Sequence, residues 1–352
     1  MPAPRTVGHR GAMTHSLSVP AVLPSPVPLL RASEIPHPEL ALARGELAHV
    51  RRGVYAPHEQ WAGLPPWERY LARVHAVAIC IPDVVFCAES AAALRGLPVF
   101  GHPREVHVLR DDGADAGVTG DLRIHTASGP REIADLGGYA VTDDGDTAVD
   151  LARHRHPAIG LAVADAALRR DPALSVENLV ARNEARASSR GRRRARWSLH
   201  RANGDAETTL ESISRAAIAW LGFPEPELQR WFTACDGHRD RADMWWPTEQ
   251  VIGEADGDLK YDGRFGDPVA AMRERRRRDA RLRDHVRSVA HWAWDEVTEF
   301  TRLRSILLGA GLRRIQPEDT ARLLELRRLL APLSPSPSPY PRDQSAPPRP
   351  AV

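Results

Sequence analysis

One lysine stands among the 48 basic side chains of the chain; arginine supplies the rest, the mark of a GC-rich coding bias. Cysteine is also scarce. Cys80, Cys87 and Cys235 show neither metal-ligand spacing nor a paired framework, which argues against a zinc module or a disulfide scaffold. They read as core thiols in a reducing cytoplasm. Net charge is also small, +2, so any affinity for nucleic acid must come from local basic patches. No apolar run is long enough to span a bilayer; the best, residues 74–88, is interrupted by Pro82 and Asp83. The Pro-rich residues 1–28 lack a continuous apolar segment and read as a disordered leader rather than a signal peptide. What is present is enough apolar content, 42%, to build real cores over 352 residues, a length that suggests two or three domains.

Residues 239–262 (RDRADMWWPTEQVIGEADGDLKYD) carry the densest chemistry and read as a β-hairpin. ADMWW forms one strand, PTEQ the turn and VIGE the return strand. Trp246 then faces Val251, and counting outward sets Asp243 opposite Glu254, at about 5 Å. Alternation places Asp243 beside Trp245 and Glu254 beside Ile252 and Asp256. Like charges this close call for compensation, and an oxygen-rich pair suits Mg²⁺ or Mn²⁺. Such an ion orients a water and offsets charge on a phosphodiester. Lys260, the sole lysine, follows Asp256 closely enough to contact a phosphate or the attacking water. The blander reading is a solvated hairpin neutralised by arginines.

The ordered set Asp243, GEADGDLKY (253–261), RRRRDARL (275–282) and VAHWAWDEV (289–297) resembles the PD-(D/E)xK nuclease superfamily, in its very-short-patch-repair-endonuclease-like branch of unknown function. The resemblance covers roughly residues 207–311. It implies metal binding by Asp243 and Glu254, helped by the Ala255 carbonyl. Position 256 holds Asp where the superfamily has its catalytic Lys, and Lys260 is the displaced counterpart. Glu211, on a helix beginning at Glu207, matches the acid that leans toward the metal in such domains; an ordinary pair with Arg215 is the alternative. Asp256 and Glu211 would complete the acidic shell.

Nearer the start, residues 29–56 read as a short helix (38–44) and a basic hairpin, the second half of a winged helix-turn-helix. Arg44, Arg51 and Arg52 would meet phosphates. LARGELAHVRRGVYAP resembles the N-terminal domain of AbiEi-type antitoxins, which are transcriptional repressors. Residues 57–187 alternate like a mixed α/β domain, with helices at 67–80 and 89–98, strands at 104–110, 122–127 and 138–143, and helices at 147–154, 158–170 and 176–187. ESAAALRGLP and TAVDLAR resemble the middle region that accompanies AbiEi-like N-termini. His107 and His125 sit on strands where they could pair, although separate core or surface histidines are the expectation.

Residues 190–201 hold six arginines and no acid, expected as a basic helical linker (188–206). Residues 272–287 hold eight arginines against three acids, and Arg276, Arg278 or Arg281 could line a phosphate channel or form a charged solvent face. Residues 313–352 are expected to be a helix and a disordered Pro-rich tail. The expectation is thus a multidomain α/β protein: a winged-helix-like module, a mixed α/β middle domain and a restriction-endonuclease-like α/β/α core (207–312). Its function is expected to be Mg²⁺- or Mn²⁺-dependent DNA cleavage in the cytoplasm. The alternative is a non-catalytic antitoxin-type regulator with a cognate toxin or other protein partner. Neither reading involves a membrane.

Overall fold

The computed structural model describes residues 22–110, 115–126, 129–234, 237–256 and 268–331, leaving aside the side chains of 268–272 and 275. Lys260, Cys235 and most of the expected leader and tail lie outside the described residues. Among those described, no helix is long and apolar enough to cross a membrane.

The chain opens with β1 (Leu30–Arg31), α1 (Pro38–Ala43), β2 (Leu47–Arg51) and β3 (Val54–Pro57), in an antiparallel sheet ordered β1-β3-β2. Gly53, at φ 82°, supplies the left-handed turn between β2 and β3 that a side chain would resist. The expected helix and hairpin are therefore present, with one strand added. They are not a free module. After α2 (His58–Gly63), helix α3 (Pro66–Cys80) buries Ala72 and Ala76 against Val50, Val54 and Ala56. The expected leader is corrected at its end: the N–H of Leu23 donates to the Leu94 carbonyl at 2.7 Å, and Val27 is buried.

The middle sheet has six strands in the order β6-β7-β5-β4-β9-β8. They are β4 (Val85–Phe86), β5 (Val106–Arg110), β6 (Gly117–Thr119), β7 (Leu122–Thr126), β8 (Ile133–Asp135) and β9 (Ala140–Thr142), with α4 (Ala88–Arg95) between β4 and β5. His107 and His125 do meet, Nδ1 to Nε2 at 2.9 Å. Burial and the neighbouring His107 push His125 down to about 4, so it is uncharged at neutral pH.

Helices α5 (Asp144–His154), α6 (Pro157–Arg170), α7 (Val176–Ala185) and α8 (Arg192–Leu199) follow. The linker expectation fails at α8. Its Ala195 and Leu199 are buried in one core with α5 and α6, while Arg196 pairs with Glu184. An arginine-rich helix with one apolar face is a packed amphipathic element, not a tether. The next helix, α9 (Thr209–Trp220), shares a core with α6 through Ala158, Leu161, Leu210 and Ile213.

At that junction Asp165, fully buried on α6, accepts from Arg215 Nη1 at 2.9 Å, Ser212 Oγ at 2.7 Å and the Asn203 N–H at 2.8 Å. Burial outweighs these partners and pushes its carboxyl up to about 6.

The C-terminal sheet is ordered β10-β11-β12-β13: β10 (Glu227–Thr233), β11 (Arg239–Trp246), β12 (Val251–Ala255) and β13 (Ser288–Trp292). The first three are antiparallel neighbours; β13 runs parallel to β12 after the crossover helix α10 (Pro268–Arg283). One face packs on α9, α11 (Trp294–Thr298) and α12 (Phe300–Ala310), with α13 (Thr320–Leu330) alongside. Leu282 of α10 packs on Ile252 at the other face. After β13 the chain passes directly into α11, which Trp294 opens, and then α12.

Gly253 lies between two tryptophans: a Cβ there would collide with Trp292 Cη2 and stand 2.9 Å from Trp246 Cζ3. Neither ring is free to yield, since Trp292 Nε1 donates to Ser214 Oγ and Trp246 Nε1 to the Pro224 carbonyl, each at 2.8 Å. Gly253→Ala is therefore expected to lower unfolding free energy by about 1–3 kcal/mol in urea titration. A second outcome concerns Asp165. Its folded pKa is raised from 3.8 to about 6, so its contribution is fully present below 3.8 and is lost as pH rises through 6. Asp165→Asn should remove about 3 kcal/mol of pH dependence between pH 4 and 7 relative to wild type, measured by urea unfolding across that range.

Candidate functional site

The β11–β12 ladder runs from Trp246↔Val251 to Met244↔Gly253, the register expected from the turn. One step further out, the Asp243 carboxylate takes the place of a backbone acceptor and receives the Ala255 N–H at 3.0 Å. Even alternation along the strand, expected from the sequence, does not hold here. Met244 and Trp246 pack with α9, whereas Ala242 clusters with Ile252 and Leu282 on the opposite face. The shift falls at Asp243 and, on the neighbouring strand, at Gln229, whose φ is 54°. A local break of this kind re-aims side chains at a strand end.

Asp243 and Glu254 are thus brought together, as expected. Burial first, then Glu254 and Glu211, push the Asp243 carboxyl up to about 7. Glu254 is 3% exposed and is also raised by burial, against the pull of Arg278. The Arg278 fork, from α10, grips both Glu254 oxygens at 2.9 and 3.0 Å. Its Nη2 also donates to the Arg241 carbonyl.

Glu211 reaches the same neighbourhood from α9, but its oxygens are engaged. They accept the Glu207 N–H and Thr208 Oγ1, both at 2.9 Å, and Gln229 Nε2 at 3.0 Å. Thr208 Oγ1 in turn accepts the Glu211 N–H at 3.1 Å, closing a reciprocal N-terminal cap. The alternative pair with Arg215 does not form; that arginine serves Asp165 and Glu225.

Asp256 stands just past β12, its N–H donating to the Trp292 carbonyl at 2.8 Å. Its carboxylate meets His291 Nδ1 at 2.9 Å, and His291 Nε2 lies 3.1 Å from Asp279 of α10. His291 was not singled out by the sequence. The parallel crossover sets it opposite Glu254, and a local pattern does not reveal which residues a crossover aligns.

The arginines expected to meet DNA divide into two groups. Arg51 is held by Asp121 through a fork of two 2.9 Å bonds, and Arg281 by Asp240 at 2.7 and 2.8 Å. With Arg278 on Glu254, these three serve internal carboxylates. Arg44, Arg52 and Arg276 are exposed.

Among the described residues, no group of three or more His, Cys, Asp or Glu side chains that could hold a metal ion forms. Asp243, Glu254 and the Ala255 carbonyl are nonetheless hard oxygen donors of the kind Mg²⁺ accepts, an ion that keeps several waters and needs only one or two carboxylates. The raised Asp243 carboxyl marks a site short of positive charge. For Asp243 and Glu254 to hold a cation, the Arg278 guanidinium on Glu254 would have to move aside. Arg278→Gln, which strands Glu254 without its partner, is expected to lower stability by about 3 kcal/mol. Millimolar Mn²⁺ should restore part of that loss in thermal unfolding, and should do so less when Asp243→Asn is added.

No family model and no solved structure matches the chain. It does match two proteins of Mycobacterium tuberculosis, Uncharacterized protein Rv2248 of strain ATCC 25618 / H37Rv and Uncharacterized protein MT2308 of strain CDC 1551 / Oshkosh. Each is 32% identical over 219 residues, spanning 61% of this chain and 76% of the relative. The chain belongs to the family of these mycobacterial proteins.

Proposed function

We propose that the chain is a metal-dependent DNA endonuclease of the PD-(D/E)xK type, acting in the cytoplasm. The observation that carries this reading is the placement of Asp243 and Glu254. They stand side by side where β11 and β12 part, inside an α-β-β-β-α-β arrangement whose last strand is parallel to β12. A buried Glu254 and a half-buried Asp243, both with raised pKa values, are poorly explained as a solvated hairpin, since solvation would leave them ordinary.

Asp243, Glu254 and the Ala255 carbonyl would hold Mg²⁺ or Mn²⁺. A bound divalent ion supplies Lewis-acid stabilisation of charge on a phosphodiester and a lowered pKa for an attacking water. Glu211, fixed by its cap, adds negative charge without offering a vacant oxygen. His291 orients Asp256 beside the pair. Arg278, once released from Glu254, is placed to meet a phosphate, which pairs well with a planar fork. Lys260 would act on the phosphate or the water. Arg44 and Arg52 would add backbone contacts from the N-terminal sheet and helix, the AbiEi-like part of the chain.

A second reading, a non-catalytic regulator of the antitoxin type with a toxin or other protein partner, is favoured by one observation. Arg278 already supplies a cation to Glu254, so the acids are compensated in part without a metal.

Incubating supercoiled plasmid with Mg²⁺ or Mn²⁺ separates the two. Wild type is expected to nick it, and Asp243→Asn, Glu254→Gln and Lys260→Ala each to lower the rate by at least about 100-fold. Duplex binding that is metal-independent, without nicking, would favour the regulator.

A further inference from the structure

Trp231 is 50% exposed on β10, the edge strand of the C-terminal sheet. An exposed tryptophan on a sheet edge invites unwanted pairing, and soluble proteins usually keep such positions charged or short. Here the ring is flanked by cations. Arg239 lies 4.6 Å and Arg241 5.5 Å from its centroid. Both arginines come from β11, with Arg241 directly across from Trp231 in the ladder.

Charge distinguishes this patch from the arginines expected to bind DNA. Arg51, Arg278 and Arg281 are held by carboxylates, whereas Arg239 is exposed and has no acidic partner among the described residues. Arg241 pairs with Glu207 at 2.7 Å. The patch therefore combines a π-face with uncompensated positive charge.

It is also close to the acids. Trp231 is two residues from Gln229, which faces Asp243 and donates to Glu211, and the carbonyl of Arg241 accepts from the same Arg278 that grips Glu254.

From this we propose that Trp231, with Arg239 and Arg241, is a stacking platform for an unpaired nucleobase, so that the site receives DNA that is single-stranded or carries an extrahelical base. The proposal rests on the nuclease reading for the identity of the substrate and deepens it. A perfect duplex hides its base faces, so a lone tryptophan gains little from it; an unpaired base offers a π-face to the ring while its phosphates meet the arginines.

The test is fluorescence anisotropy in EDTA with a labelled single strand, a duplex bearing one unpaired base and a perfect duplex. Wild type should prefer the first two. Trp231→Ala should weaken them about tenfold, in line with the usual worth of one stacked base, and leave the perfect duplex within about twofold. Trp231→Phe should retain most of the affinity. Equal loss on all three ligands, no loss, or no DNA binding by wild type would overturn the platform. So would a dimer in sedimentation velocity that Trp231→Ala dissociates, which would assign the edge to a second copy of the chain. Since the assay omits metal, it is independent of cleavage. Trp231-dependent binding by a protein that nicks nothing sustains the platform and sinks the nuclease. Nicking with Trp231-independent binding does the reverse.

Discussion

Glu254 is almost fully buried beside Asp243, and the C-terminal half of the chain is arranged around that unfavourable placement. Two carboxylates removed from water repel one another and lose hydration. Arg278 partly offsets this, gripping Glu254 and acting on Asp243 from further off; Asp243 also accepts the Ala255 N–H, yet burial and the neighbouring acids still raise its carboxyl. α10 is placed by the same electrostatics. Arg278 and Arg281 fasten it to Glu254 and Asp240, and Asp279 fastens it to His291. A helix so rich in arginine would otherwise repel itself; these pairs and Leu282 together hold it on the sheet.

The second organising constraint is continuity of the interior. α9 meets the C-terminal sheet through Ser214, which accepts from Trp292 Nε1, and the helical layer through Trp220, stacked on Trp197 of α8. The buried Asp165–Arg215 pair crosses the same boundary. Breaking such a pair leaves an uncompensated buried charge, so the two halves resist separation. The same logic applies at the front, where Arg51 and Asp121 join the first sheet to the middle one. Segments that composition alone marks as modules and a linker are thereby connected into continuous packing.

The acid site and the Trp231 edge follow from one irregularity. At Gln229 and Asp243 both strands depart from even alternation, which turns Asp243 toward Ala255 and carries Gln229 to Glu211. Beyond it, Trp231 and Arg241 form an exposed pair instead of continuing the core. A regular ladder would have buried one set and solvated the other; the break lets a core, an acidic cleft and a basic edge share two strands.

Much of this was legible in the sequence. The turn at 247–250 and the apolar strands around it determined the hairpin register, because only that pairing matches Trp246 with Val251 and buries both. Asp243 and Glu254 follow from it by counting. The amphipathic helices α3, α5, α6, α7 and α9 were likewise written in their spacing, whereas the strands allowed the His107–His125 pair without requiring it. Strands of two or three residues such as β1, β4 and β6 were not, since they carry too few residues to show a period. Nor could sequence say which arginines are spoken for. Arg278 and Arg276 look alike in a basic run, yet one is bound to Glu254 and the other is exposed. Register and amphipathicity are local properties of neighbouring residues. Charge compensation across a crossover, as of His291 and Arg278 with the acids, depends on distances between residues far apart in the chain, and only the folded arrangement decides them.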